Sequence, residues 1–481
     1  MTAPAPESTT TAPHAAHAEL VELVELVELE SRRGARPPAT TPQPIEGWGR
    51  HPVVLAHTLS TDDLERASAR AALSRGLGRA YADSALPVEG ETRAVVVTPR
   101  ADRILAWDPA TGVLRAEAGL SLRTLRELVL PQGWFTPVSP GTGYVTLGGM
   151  VAADIHGKNH HCAGCIGRHV RALRMRTGDG RVLEVSPDEH ADLFEATQGG
   201  MGLTGHILEV ELQLVAVPSP WIYEESTRHG SLAEVIAALR EANDAWPMTV
   251  AWVDTSARGA SAGRGIVLRG RWATASEAPA TQPAGKRVVT FPFDLPSGLV
   301  NPTTIGLMNR FWYRLHGARP KRHVVHPEKY FWPLDGIDRW NRAFGRRGFT
   351  QYQCVLPKPE LYTELLEIFR RGGGCSFVTV FKDCGEAGPG PLSFPQRGTT
   401  ITLDIPLRRD DGTQRLCQQL NEYVVAHGGR VYLAKDAFTT PEHFRQMYPK
   451  LAQWQRIVDR YDPDRRLMSA QGQRLRLRDP A

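Results

Sequence analysis

The run Asp154-Ile155-His156-Gly157-Lys158-Asn159-His160-His161 gathers imidazoles, an ammonium and an amide in one short stretch. It follows the glycine-rich run Pro140-Gly141-Thr142-Gly143-Tyr144-Val145-Thr146-Leu147-Gly148-Gly149. Backbone without Cβ interference can bring its N–H groups onto a pyrophosphate. The polar cluster can then sit beside a reactive ring. Together they point to a large, planar, anionic cofactor. A second loop, Arg75-Gly76-Leu77-Gly78-Arg79-Ala80-Tyr81-Ala82-Asp83, follows a strand-like run. Its glycines and arginines can hold a diphosphate through backbone donors and guanidinium charge, or form an ordinary basic turn.

Two other patterns match known motifs in letters only. Gly200-Met-Gly202-Leu-Thr-Gly205 has G-x-G-x-x-G spacing. It follows a helix-like run and precedes the strand-like His206-Ile-Leu-Glu-Val-Glu-Leu, the reverse of what a dinucleotide fingerprint requires. A tight turn, packed against a cofactor or not, is the expectation. Cys162-Ala-Gly-Cys165 has zinc-knuckle spacing, but no second pair follows at finger distance. Two small buried thiols and no metal are expected.

These residues need a scaffold of short strands and a few helices. Asp62 to Ala72 reads as a helix with Thr61 as its N-cap. Leu73-Ser-Arg and Arg93 to Thr98 read as strands. Ile104–Asp108 with Val113–Ala118, and Val170–Thr177 with Arg181–Ser186, read as hairpins, and Leu120 to Leu130 as a helix. Beyond Pro218, strand-like runs begin at Thr249, Gly265, Phe349, Ser376 and Thr399. Helices Ser231–Ala245, Pro359–Arg371 and Thr413–His427 intervene. That alternation suits an antiparallel sheet covered by helices, an α+β class. The stretch from Ala273 to Lys286 reads as an exposed loop.

At 481 residues the chain is long enough for two domains. Its formal charge, 57 − 52 = +5, comes from mixed basic and acidic residues and is no nucleic-acid signature. The six cysteines are irregularly spaced, which argues for reduced thiols rather than a disulfide framework. No apolar run is long enough for a transmembrane helix, and no signal-peptide order opens the chain. A cytoplasmic protein without an integral membrane segment is expected. Residues 1–45 read as a disordered tail rich in Ala, Pro, Thr and Ser. Within it, the repeated Glu-Leu-Val from Glu19 to Glu30 could form a short amphipathic helix.

Taken together, the segments resemble the vanillyl-alcohol-oxidase-like family of FAD proteins. Within it they are most similar to the branch that oxidises a lipid-linked ribose in actinobacterial arabinan synthesis. The resemblance runs from about Gly47 to Leu477. It is carried by Gly47-Trp-Gly-Arg50, Arg75-Gly-Leu-Gly-Arg79, Asp154-Ile-His-Gly-Lys-Asn-His-His161 and Gly202-Leu-Thr-Gly205. Further on it is carried by Trp312-Tyr-Arg314, Gln351-Tyr-Gln353, Phe381-Lys382, Pro391-Leu-Ser-Phe-Pro395, Ala434-Lys435-Asp436 and Met447-Tyr-Pro449.

The resemblance implies an FAD domain built from both chain ends, 46–218 and 430–481, with a substrate domain, 219–429, inserted between them. It implies that Arg75, Gly76, Gly78, Arg79 and Tyr81, with Gly141, Thr142, Thr146, Gly148 and Gly149, hold the FAD pyrophosphate. His156, Asn159, His160, Gly205 and Lys435 would line the flavin. Lys435, His156 and Gln353 would surround a sugar carbinol whose hydride goes to flavin N5. Lys382, Gln351, Gln353, Arg314, Thr402 and Tyr432 would contact substrate. The family tethers covalent FAD through a His in the first loop. Here that loop has Arg79 and Tyr81, so non-covalent FAD is expected.

The implied reaction oxidises a secondary alcohol to a keto-sugar, the first half of an epimerisation that a short-chain reductase completes. Where family members carry a pocket cysteine in Asn-Ile-Cys-Val-Asp, this chain has Thr400-Ile-Thr402-Leu-Asp404. The cap segment Phe-Tyr-His-Pro is Tyr330-Phe-Trp332-Pro. Both changes touch the pocket, so a soluble sugar, aminocyclitol or polyol stands as an alternative to a lipid-linked sugar. A catalytically silent binding partner stands as a third reading. A lipid-linked substrate would bring the protein to the membrane surface.

Overall fold

The computed structural model of the chain describes residues 41–283, 288–317 and 319–478. The Glu-Leu-Val repeat and its expected helix lie outside the described residues. Residues 43–45, expected in the tail, belong to the strand Gln43–Glu46, which pairs antiparallel with Val53–Ala56.

Three sheets position the site. A small parallel sheet orders Thr58–Ser60, Val95–Val97 and Leu73–Arg75. A five-stranded antiparallel sheet runs Val182–Val185, Val170–Arg176, His206–Gln213, Val113–Glu117, Ile104–Asp108. Both expected hairpins lie in it. Its core is apolar by alternation: Leu173, Met175, Val210 and Leu212 are buried.

The third sheet has eight strands, all pairs antiparallel. Their order is Lys321–Val325, Ile222–His229, Gly265–Trp272, Met248–Val253, Val380–Cys384, Gly398–Pro406, Phe349–Leu356, Arg430–Val431. Helices Leu232–Ala245, Tyr362–Arg371 and Gly412–Ala426 accompany it. In the first of these, Leu232, Val235, Ile236, Leu239 and Ala242 recur at helical spacing and are buried. The Ser231 hydroxyl caps this helix by accepting from Glu234 N–H at 3.3 Å.

Phe349–Leu356 is buried along its whole length, and its alternation sorts two chemistries. Tyr352 points to the helices, its hydroxyl donating to Asn421 Oδ1 at 2.9 Å. Gln351 and Gln353 therefore face the other way.

The C-terminal segment returns to the first loop. Tyr81 N–H donates to Ala434 O at 2.9 Å, and Ala470 N–H to Leu86 O at 2.9 Å. Arg474 clamps the first loop with a two-pronged bond to Asp83 at 2.8 and 2.9 Å. It also bonds Asp436 at 2.9 Å. Both carboxylates are buried.

Two expectations are corrected, and one helix is new. The helix expected over 62–72 is only Leu64–Ser68: Asp63 rather than Thr61 caps its start, accepting from Arg66 N–H at 2.9 Å, and beyond its end Ala72 N–H turns to Ala94 O at 2.8 Å. The strand expected from Ser376 is Val380–Cys384. The helix Pro302–Leu315 was not expected, because its apolar residues face outward and form no core pattern.

Replacing Arg474 with Met would strand two buried carboxylates, a loss of about 3 kcal/mol. The urea midpoint of Arg474→Met should fall clearly. Arg397→Met, which removes an exposed pair with Glu386, should leave the midpoint unchanged.

Candidate active site

One cavity of about 660 Å³ lies between the eight-stranded sheet and the glycine-rich loops. Its floor is one face of that sheet. Alternate residues from four neighbouring strands line it: Val250 and Trp252, Val380 and Lys382, Thr402, and Gln351 and Gln353. The register confirms the shared face, since Gln353 pairs across with Thr402 and Thr402 with Val380.

This floor is buried and polar. Gln351, Gln353, Thr400, Thr402, Asp404 and Lys382 are all at most 5% exposed. Gln351 Nε2 donates to Asp404 Oδ1 at 2.6 Å. Gln353 Nε2 donates to His156 Nε2 at 2.9 Å and to Thr400 Oγ1 at 3.1 Å. Four buried polar atoms of this group have no partner among the described residues: His156 Nδ1, Gln351 Oε1, Gln353 Oε1 and Asp404 Oδ2. Each such atom costs roughly 1–3 kcal/mol unless something bonds it, so the floor is built for a polar ligand.

The opposite wall is backbone. Gly76, Gly78, Arg79 and Tyr81 line it with Gly141, Thr142, Thr146, Gly148 and Gly149. A Cβ at Gly76 would lie 2.4 Å from Thr146 Oγ1, so these two loops meet only through a glycine. A Cβ at Gly141 would meet nothing within 4 Å; the space over it is open cavity. Asp335 holds this loop by accepting from Gly143 N–H at 2.7 Å. Arg79 lies 3.8 Å over the Trp48 ring and donates to Tyr144 O at 3.3 Å. An open glycine cradle, an adjoining guanidinium and a polar floor fit a dinucleotide with a ring at one end. These residues fit FAD.

The charges are unusual. Burial pushes Lys435 down to about 7, against the pull of Asp404. Burial pushes Asp404 up to about 7. Lys382 is lowered to about 8 and Lys158 to about 7, again by burial. His156 is held well below its usual value by burial and by Lys382, so it is neutral. With Gln353 donating to Nε2, its proton sits on Nδ1, the unpartnered atom. Perturbed groups converging in a cleft make this the candidate reactive site.

Of the residues singled out in the sequence, the cavity wall also includes Gly205, Tyr432 and Lys435. Tyr432 is fixed by donating to Ala153 O at 2.8 Å. Four are placed elsewhere. Arg75 turns away from the cavity and braces the flanking backbone, donating to Glu46 O at 2.5 Å and Ala85 O at 3.3 Å. Asn159 donates to Pro137 O at 2.8 Å. His160 accepts from Gly385 N–H at 3.0 Å and contacts Cys165 Sγ at 3.2 Å. Arg314 is exposed on the helix Pro302–Leu315 and does not line the cavity.

Sequence reasoning missed Trp252, Glu224 and Asp335, and it quoted Lys158 without a role. Period-two alternation along Thr249–Asp254 was the available signal for Trp252. Lys158 lines the cavity and donates to Phe331 O at 3.2 Å.

The chain is similar to known proteins along most of its length. A family model described as an FAD binding domain matches residues 63–186, and one described as D-arabinono-1,4-lactone oxidase matches residues 391–475. The decaprenylphosphoryl-β-D-ribose oxidase of Mycolicibacterium smegmatis is 36% identical over 458 residues, covering 91% of this chain and 98% of that protein. An uncharacterized protein of Streptomyces coelicolor is 36% identical over 374 residues, covering 74% of this chain and all of that protein. The L-gulonolactone oxidase of Mus musculus is 33% identical over 116 residues, covering 24% of this chain and 26% of that protein.

The open space over Gly141 makes a selective test. Gly141→Leu apoprotein should unfold at the thermal midpoint of wild-type apoprotein, yet as purified the variant should carry at least about tenfold less FAD, read from its visible spectrum.

Proposed function

Because the chain belongs to the decaprenylphosphoryl-β-D-ribose oxidase family of FAD-binding, vanillyl-alcohol-oxidase-like proteins, we propose that it oxidises a secondary alcohol of a lipid-linked ribosyl sugar to a ketone. It is an FAD-dependent oxidoreductase. The observation that carries the reading is the convergence of neutral His156, Gln353 and half-neutral Lys435 on one cavity.

Bound FAD supplies the two-electron acceptor for the carbinol C–H. The chain's own residues do the rest. Lys435 is a base when neutral, and its depressed pKa makes the neutral form abundant near pH 7. It takes the hydroxyl proton as the C–O bond becomes a carbonyl. The His156 Nδ1–H and the Gln351 and Gln353 amides orient the sugar hydroxyls. Lys382 and Lys158 offer positive charge to a phosphate, and each is held by one backbone carbonyl, Gly157 O at 2.5 Å and Phe331 O at 3.2 Å. The Thr402 hydroxyl adds a polar contact on the same floor.

The module that holds FAD combines 46–218 with 430–481 in this reading. The bonds from Arg474 to Asp83 and from Tyr81 to Ala434 support it. FAD is non-covalent, because the first loop has no His to tether it. A short-chain reductase then returns hydrogen to the opposite face of the ketone and completes an epimerisation. Among the described residues no helix is long and apolar enough to cross a membrane.

The test is anaerobic bleaching of the yellow protein by decaprenylphosphoryl ribose against soluble sugars. Bleaching by soluble sugars alone would favour the soluble-substrate reading. Lys435→Met should retain FAD and lose turnover by about 10²-fold or more. In the wild type, the bleaching rate should rise with pH through about 7 as Lys435 loses its proton, and Lys435→Met should lose that step. Acid precipitation should leave the yellow colour in the supernatant. Colour in the pellet would contradict non-covalent binding.

A further inference from the structure

We propose that the helix Pro302–Leu315 docks the protein on an anionic lipid surface beside the cavity mouth. The inference rests on the lipid-linked reading above only for its purpose; the docking itself stands on the helix.

The helix is built inside out. At 3.6 residues per turn, Leu307, Met308, Phe311, Trp312 and Leu315 fall on one stripe. All five are exposed, Leu307 and Phe311 by 65% and 63%. The opposite face carries the anchors. Buried Asn309 donates to Asp254 Oδ1 at 3.1 Å and to Ser376 O at 3.2 Å. The Tyr313 hydroxyl donates to His229 O at 3.1 Å. Asn301 and Thr304 form a capping box at its start. The stripe is therefore a fixed surface and not a frayed segment.

Charge selects the occupant. From Leu295 to Pro327 the sequence has five Lys or Arg and no Asp or Glu. Arg310 and Arg314 flank the apolar stripe on the same exposed side of the helix. Arg319 and Lys321 follow it, also exposed. An apolar stripe edged with cations is the pattern of a helix lying in the plane of an anionic interface. A protein partner would have to supply all the acidic groups itself.

The stripe also joins the cavity. Trp312 is 39% exposed and, with His316, lines the cavity. A chain leaving the cavity past Trp312 meets apolar residues and then lipid. Phosphate and sugar would stay on the polar floor, while the hydrocarbon remains in the surface on which the helix rests.

The test uses full-length holoenzyme in flotation with vesicles of phosphatidylglycerol and phosphatidylcholine, against phosphatidylcholine alone. The holoenzyme should float with the anionic vesicles, and high salt should weaken binding by at least about threefold. The triple variant Leu307→Ser, Phe311→Ser, Leu315→Ser should lose at least about tenfold in vesicle binding. Its flavin spectrum, thermal midpoint and oxidation of a detergent-dispersed substrate should match the wild type.

A wild type that does not float, or a triple variant that binds equally well, overturns the inference. So does a triple variant whose only change is a smaller mass in solution, which would make the stripe a contact between copies. Flotation is read without turnover. An enzyme that floats yet oxidises no ribosyl lipid sinks the proposed function alone, and an active enzyme that ignores vesicles sinks the docking alone.

Discussion

A buried polar atom must find a partner, and this fold concentrates such atoms on a single sheet face. Gln351, Gln353, Thr402, Asp404 and Lys382 lie almost fully out of solvent, and several of their atoms, with His156 Nδ1, bond nothing within the chain. Apolar residues of the same size would make a more stable sheet. The face is tolerated because the reverse side of the same strands packs on three helices. Tyr352 and Tyr362 use their hydroxyls there to close backbone and side-chain partners. The debt left on the floor is what a polar ligand removes, so binding and stability are coupled through the same atoms.

The position of Lys435 follows from how the chain closes. Lys435 ends the turn Leu433–Lys435. Ala434 O accepts from Tyr81 N–H on one side. Leu433 O accepts from Gln471 Nε2 at 2.7 Å on the other. The Tyr81 ring then lies 5.6 Å from Lys435 Nζ. Segments far apart in sequence thus fix one ammonium within the same low-dielectric space as Asp404. The mutual pull of the two groups opposes the burial that depresses one pKa and raises the other. A loose tether would let Lys435 reach solvent and recover its ordinary charge.

Much of this was legible in the residues, and the failures have physical causes. Hairpins and amphipathic helices were readable because one face is apolar and the other wet. The glycine loops were readable because close backbone approach demands glycine, as the Gly76–Thr146 contact shows. Lys435 was not readable from periodicity. A regular strand would put it opposite Tyr432, but the strand stops at Val431 and the turn brings both side chains to the cavity. Arg75, Asn159 and His160 have the right chemistry but point elsewhere, because backbone carbonyls and a backbone N–H distant in sequence, with the Cys165 thiol, claim them first. The helix Pro302–Leu315 was hidden for the opposite reason: its apolar stripe serves no core.

Two local rules are therefore broken in this fold, and in opposite senses. The sheet floor puts polar groups where apolar ones pack best, and the helix puts apolar groups where polar ones dissolve best. In a sequence otherwise consistent across its levels, such violations mark places where something else is bound. Trp312 belongs to both, since it lies on the exposed stripe and on the cavity wall. In the proposed reading a polar head would satisfy the first violation and the lipid surface under the helix the second.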